Sequence, residues 1–344
     1  MKKLRSLPAQ CFAFLSITML FLALQASTLW AAACDASQTT TYPKVAISNG
    51  AVHAVVYLPN AQSGYYRGTR FDWSGVIGCL ESNGHSYFGV WFPRYDPYLN
   101  DAISGPVEEF RSSDGESSIG YDAAKPGDPF VKIGVGVLRK LDDKPYKFAT
   151  TYPVIDGGKW TVKPNSTGVT FEQTLKSPIG IAYDYKKTLK LDAHEPVLIL
   201  EHSLKNTGTA IIDTQVYDHD FYMLDNAPTG PDMVVRFPFA PVAQQTLENG
   251  ARIQGRELGF ARTFETGESV FSSLTGFSDS ASDYHFIVEN QKTGVGVEQT
   301  GSLPLSRINF WSIRTTICPE GYLHLKIAPG ETAHWTIRYR FYSK

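Results

Sequence analysis

The chain has 344 residues, with 32 basic against 34 acidic side chains, a formal net charge of −2, and 42% hydrophobic and 13% aromatic residues. That balance offers no basic patch for a phosphate backbone, which excludes nucleic acid as a partner. The length admits one large all-β domain or two smaller ones, and without repeats or low-complexity segments to mark a boundary a single domain is expected.

The chain starts with a basic stretch, MKKLRSLPAQ, followed by the apolar CFAFLSITMLFLALQASTLW and the small residues of AAAC. A charged start, an apolar middle and small residues before a cut describe a secretory signal over residues 1–33, with a membrane-spanning helix as the alternative. Cleavage removes Lys2, Lys3 and Arg5 and leaves 29 basic against 34 acidic residues, a net charge of −5, with no transmembrane segment in the mature chain. The expected location is periplasmic or secreted. Cys34 would then be the first mature residue and could carry a lipid anchor, although Ala31 stands where a lipoprotein signal usually has Leu. Residues 35–344 are expected to form the domain. Export permits a disulfide, and Cys79 with Cys318 is the expected pair, two buried free thiols being the other reading. No cysteine pair has metal-finger spacing and no HExxH or GxSxG occurs, so neither metal nor organic cofactor is expected.

Strand-type alternation then recurs along the chain. KIGVGVL (132–138), KWTVKP (159–164), GVTFEQTL (168–175), YHFIVENQKTGVGVEQ (284–299) and YLHLKIAPGE (322–331) read as strands bounded by Gly, Pro, Asn or Asp. In PVLILEHSLKNTG, Val197, Ile199 and Glu201 alternate against Leu198, Leu200 and His202. In HWTIRYRFY, Trp335, Ile337, Tyr339 and Phe341 oppose His334, Thr336, Arg338 and Arg340. No helical stripe persists for three turns. Many short strands predict packed antiparallel sheets, with binding residues in the long irregular stretches 60–130 and 222–260.

Four stretches carry candidate chemistry. In YYRGTRFDWSG (65–75), Arg67 and Arg70 sit among Tyr65, Tyr66, Phe71 and Trp73; an arginine fork holds neighbouring hydroxyls or a carboxylate, and flat rings cover the C–H face of a sugar. Residues 84–110 place His85, Arg94, Asp96, Asp101, Glu108 and Glu109 among Tyr87, Trp91 and Tyr95, with His85 the one to test first. In TQVYDHDFYMLD (214–225), a regular strand puts His219 beside Tyr217 and Phe221 and turns Asp218 and Asp220 to the opposite face. A histidine of near-neutral pKa can give and take a proton. Lastly, Glu320 follows Cys318 and Pro319 in an apolar run whose desolvation would suit the carboxylate to general-base work, with Glu298 as a competitor. Against each stands a plainer reading: a surface arginine pair, satisfied structural histidines, and strand-edge charges facing water.

Taken in order, Asn206-Thr207-Gly208, His219 with Phe221 two residues on, a late Glu320, then Pro329-Gly330-Glu331 and WTIRYRF resemble the aldose 1-epimerase (galactose mutarotase-like) superfamily. The likeness is closer to its hexose-phosphate epimerase-like branch, in which a tryptophan precedes the glutamate as Trp311 does here. The resemblance implies a large antiparallel β-supersandwich. It also implies that His219 protonates a ring oxygen while Glu320 takes the proton from the anomeric hydroxyl, interconverting the anomers of a sugar. Arg70, or equally Arg67, would orient the substrate, a mono- or oligosaccharide, with Trp73, His85, Trp91, Asp218 and Trp311 completing the binding set. The chain departs from the pattern in having Asp218 where Asn is usual before the histidine, only His85 by order as a second histidine, and CPE at the glutamate. The same fold also carries polysaccharide lyases, glycan hydrolases and sugar-binding modules without turnover, so these remain alternatives.

Overall fold

The computed structural model describes Cys34 and residues 41–344; the expected export signal, residues 1–33, lies outside the described residues. Twenty-three strands and two single-turn helices make up the regular structure of the described residues. The Thr332–Tyr342 strand shows why. Trp335, Ile337, Tyr339 and Phe341 are buried on one side and Arg338 and Arg340 are exposed on the other, so alternation alone decides which face meets the core. It pairs antiparallel with Val197–Asn206, which turns Leu198, Leu200, His202 and Leu204 inward.

These two strands lie in the middle of a ten-stranded antiparallel sheet that ends at Ala251–Gln254 on one edge and Lys159–Asn165 on the other. A six-stranded sheet has the order Val242–Ala243, Ser269–Thr275, Arg307–Ile313, Thr316–Ile327, Ile212–His219, Val107–Ser112. Phe110 of this sheet packs edge-on against Tyr185 and Trp335 of the larger one, within one continuous apolar cluster. Burying each such ring contributes about 1.5–3 kcal/mol. A four-stranded sheet over Lys44–Phe88 and a three-stranded sheet over Pro129–Asp156 complete the described fold. The architecture is the all-β antiparallel sandwich that alternation called for.

Three details differ from the sequence reading. KIGVGVL is two strands, Pro129–Lys132 and Gly136–Arg139, joined by a turn at which Gly134 takes φ +79°; a Cβ there would lie 2.5 Å from Asp72 Cγ, so glycine also permits that close approach. Residues 284–299 likewise form a hairpin, His285–Asn290 with Val295–Gly301. Finally, Cys79 is disulfide-bonded to Cys34 and not to Cys318, which is a buried free thiol. The reason is packing: Cys79 is buried with Cys34 and Val55, whereas Cys318 lies in a separate cluster, where its sulfur accepts from the Phe221 N–H at 3.3 Å. The Cys34 sulfur that a thioether-linked lipid would need is held in this bond. Among the described residues no helix is long and apolar enough to cross a membrane.

Candidate functional site

The site is written into the register of the six-stranded sheet. Residues directly opposite on neighbouring strands project from the same face. Ser273 faces Asn309 and Asn309 faces Glu320; one step along, Arg307 faces Tyr322, Tyr322 faces Tyr217, and Tyr217 faces Glu109. In the other direction Phe271 faces Trp311, and beyond Tyr217 Gln215 faces Arg111. Odd residues of four strands and even residues of Thr316–Ile327 thus combine into one polar and aromatic face.

The ladder between Ile212–His219 and Thr316–Ile327 stops at Tyr217–Tyr322 and resumes as a single bridge, Tyr222–Ile317. Two features open it. Pro319 has no N–H to give, and Phe221 takes φ +48°, a left-handed conformation that a bulky residue holds only under constraint. The gap contains His219 and Glu320, whose Nε2 and Oε1 lie 3.2 Å apart, both groups almost fully buried. Phe221 is stacked on the imidazole at 3.7 Å, and Phe71 and Trp311 meet it edge-on.

The pair forms part of the wall of a cavity of about 430 Å³ whose lining also includes Arg70, Asp101, Arg111, Phe148, Tyr217, Phe271, Arg307, Asn309, Trp311 and Tyr322. Arg70 lies between the rings of Phe71 and Phe148, donates from Nε to Glu109 (2.8 Å) and from Nη2 to the Tyr217 hydroxyl (3.1 Å), and is ion-paired with Asp101. Glu109 beneath it also takes Lys132 (3.0 Å), Arg111 (3.2 Å) and the Tyr217 hydroxyl (2.6 Å). At the rim, Arg307 pairs with Glu116 at 2.9 Å. A chain of donors runs along the floor from Ser273 to Asn309 Oδ1, from Asn309 Nδ2 to the Tyr322 hydroxyl, and from that hydroxyl to Glu320 Oε2 at 3.4 Å.

Burial pushes Glu320 up to about 7, with Arg70 pulling against it and Glu109 adding to it. Burial, with Arg70 next, holds His219 well below the usual histidine range, so the imidazole is neutral. Glu109 goes the other way: burial alone would raise it, but Lys132, Arg70 and Arg111 together hold it well below the usual carboxylate range. On the far side of the strand, burial and then Glu108 raise Asp218 to about 7, and burial and then Asp218 raise Asp220 well above the usual carboxylate range. Among the described residues no group of three or more His, Cys, Asp or Glu side chains is arranged to hold a metal.

Of the residues singled out in the sequence, Arg70, Asp101, Tyr217, His219, Phe221, Trp311 and Glu320 line this cavity. Trp91 does not; it is stacked behind Phe221 at 4.6 Å and donates to the Ile103 carbonyl. Asp218 points to the other face of its strand and accepts from the Tyr339 hydroxyl. His85 is paired with Asp225 at 2.9 Å and Glu298 with His285 at 2.8 Å, both away from the cavity. Arg67 and Trp73 line a separate groove with Thr69, Tyr98 and Thr151, because residues 58–75 are irregular and strand alternation does not hold there. Sequence reasoning passed over Arg111, Arg307, Asn309, Tyr322 and Phe271 as site residues. Their signal was parity: each stands two residues from another member of the site on its own strand.

No protein-family model matches this chain, and comparison with curated proteins finds no match. Solved structures do match. A protein of Synechocystis superposes with a TM-score of 0.56 at 12% identity, over 89% of this chain and 97% of that one. A galactose mutarotase-like protein of Clostridium acetobutylicum gives 0.54 at 13% identity (88% and 95%), and the GalM/aldose epimerase homologue of C. elegans gives 0.52 at 15% identity (87% and 98%).

Proposed function

The fold is therefore that of the galactose mutarotase-like proteins, and from it we propose that this chain binds a sugar with a free anomeric centre and interconverts its anomers. The observation that carries the reading is the buried His219–Glu320 pair, 3.2 Å apart in the wall of a cavity with aromatic rings. A cavity with one tryptophan in its lining suits a monosaccharide unit better than the tryptophan-lined groove of a lyase or hydrolase.

Ring opening needs one group that holds a proton and one that does not. A pair sharing a single proton supplies both. One member gives its proton to the ring oxygen as the C1–O5 bond breaks, while the other takes the proton of the anomeric hydroxyl as the carbonyl forms. Rotation about C1–C2 and the reverse transfers close the ring on the other face. Glu320 as acceptor with His219 as donor, and the converse, contain the same number of protons. Burial favours the form with the proton on Glu320 as the resting state. Trp311 and Phe271 offer apolar faces to the ring, and Arg70 offers its remaining N–H groups to hydroxyls. The Cys34–Cys79 disulfide supports a working place outside the cytoplasm, since such bonds persist in oxidising compartments.

The direct contact of the pair also suits a second reading, a binding module in which His219–Glu320 is a structural bridge. NMR saturation transfer between α and β anomers, corrected for spontaneous exchange, separates the two. His219→Ala and Glu320→Gln are each expected to abolish catalysed exchange; parent-like exchange in both variants rejects the mechanism, and binding without exchange in the parent leaves the module.

A further inference from the structure

We propose that the cavity selects a sugar bearing a single carboxylate on C5, across the ring oxygen from the anomeric carbon, that is, a hexuronic acid. This rests on the reading of His219 and Glu320 as the anomeric end.

The argument begins with where two further arginines fall. Arg307 is one strand over from Glu320 and one same-face step along. With strands ~4.8 Å apart and ~6.8 Å between same-face residues, its Cα stands roughly 8 Å from that of Glu320. Arg111 lies one same-face step further along, two strands away across the Tyr217 strand. Both line the cavity. A pyranose with C1 at the pair and O5 next to His219 can turn its C5 substituent, one bond beyond O5, toward this end.

Neither guanidinium is fully used. Arg111, with its side chain only 11% exposed, gives Nη1 to Glu109 and Nη2 to the Glu116 carbonyl, while its buried Nε has no partner. Arg307 is held by the Asp114 carbonyl and by Glu116, whose side chain is 71% exposed. An ion pair with so exposed a carboxylate is weak and easily exchanged for a better-placed anion. Planar guanidinium forks match a planar carboxylate in two parallel hydrogen bonds, a geometry that hydroxyls do not reproduce.

Charge sets the number. The ion pairs around Glu109, Asp101 and Glu116 join four cations to three carboxylates. The Asp114 carboxylate is turned instead to Ser112 and the Glu116 amide. Asp114 is nonetheless ionised beside Arg307, so the count is four against four, and the anion that fits is the one of least charge, a single carboxylate in place of a dianionic phosphate.

The test is calorimetric binding and NMR anomer exchange with D-glucuronate and D-galacturonate, against D-glucose, D-galactose and glucose 6-phosphate. Uronates are expected to bind at least roughly tenfold tighter than the neutral sugars, the scale of one charge-assisted fork. Arg307→Gln, at the rim, and Arg111→Gln are each expected to shrink the ratio of uronate to neutral-sugar affinity by a similar factor. Equal affinities, a ratio unchanged in Arg307→Gln, or tighter binding of the phosphate would overturn the inference. Exchange of neutral sugars without uronate preference removes it and leaves the proposed function; preferential uronate binding without exchange keeps it and removes the catalysis.

Discussion

The ring of Phe221 lies 3.7 Å from that of His219 and 8° from parallel, and it reaches that position from a backbone φ of +48°. The chain thus leaves the strand two residues after the histidine, folds its phenylalanine back over the imidazole, and seals one side of it from water. That seal is part of the burial that keeps His219 neutral. Phe221→Ala opens it. Removing a fully buried phenylalanine is expected to cost about 3 kcal/mol in denaturant unfolding. It should also let the His219 pKa rise toward its ordinary value, read from the ring proton in an NMR titration. A lost ring with an unmoved histidine would show that the other aromatic neighbours suffice.

The shared proton gives the activity a definite pH dependence. Above about 7, Glu320 loses its proton while His219 stays neutral, so the pair is left with none to donate. Well below the usual histidine range, His219 gains a second proton and no acceptor remains. Catalysed anomer exchange is expected to follow a bell that falls on the alkaline side through about pH 7. A rate that rises steadily through pH 7, after subtraction of the spontaneous reaction, would instead mark Glu320 as a lone base.

How far these groups were legible follows from periodicity. Within the Ile212–His219 strand, alternation was enough to place His219 with Tyr217 and to turn Asp218 away, and the structure has them so. The same rule carried Trp335 to Phe341 into the core. It had no purchase on residues 58–75, where no strand exists, so Arg67 and Trp73 were grouped with Arg70 although they face another groove. Arg307 and Arg111 come from strands almost 200 residues apart, and nothing local encodes the register that brings both to one face. Cysteine pairing was hidden for a related reason: spacing does not reveal which buried cluster a cysteine will join.

Tyr322 is expected to tune the acid of the pair rather than merely support it. Its hydroxyl donates to Glu320 Oε2, which favours the ionised carboxylate, and accepts from Asn309, which fixes its direction. In Tyr322→Phe the donor is gone, so the Glu320 pKa rises and the alkaline limb of the exchange rate moves to higher pH. The accompanying loss of stability should be about 1 kcal/mol, the scale of one hydrogen bond. A limb that stays in place while stability falls would reduce Tyr322 to a packing role.

Asp218 and Asp220 make stability itself depend on pH, independently of any ligand. One Tyr339 hydroxyl lies within hydrogen-bond distance of both carboxyls, 2.5 Å from Asp218 Oδ2 and 3.0 Å from Asp220 Oδ1, and has a single proton to give. Burial and then Glu108 raise Asp218 to about 7, from the 3.8 expected of a free side chain. Between those values the unfolded chain releases this proton and the folded chain retains it, so the native state binds more protons. Stability is then full below about pH 4 as far as this group is concerned and declines as pH rises toward 7, by on the order of a few kcal/mol. Asp218→Asn removes the titration while keeping the shape of the side chain. The melting temperature of the variant is expected to fall less than that of the parent between pH 4 and pH 7. Parallel curves for the two proteins would mean that the carboxyl is ionised in the fold, with Lys187 compensating for its burial.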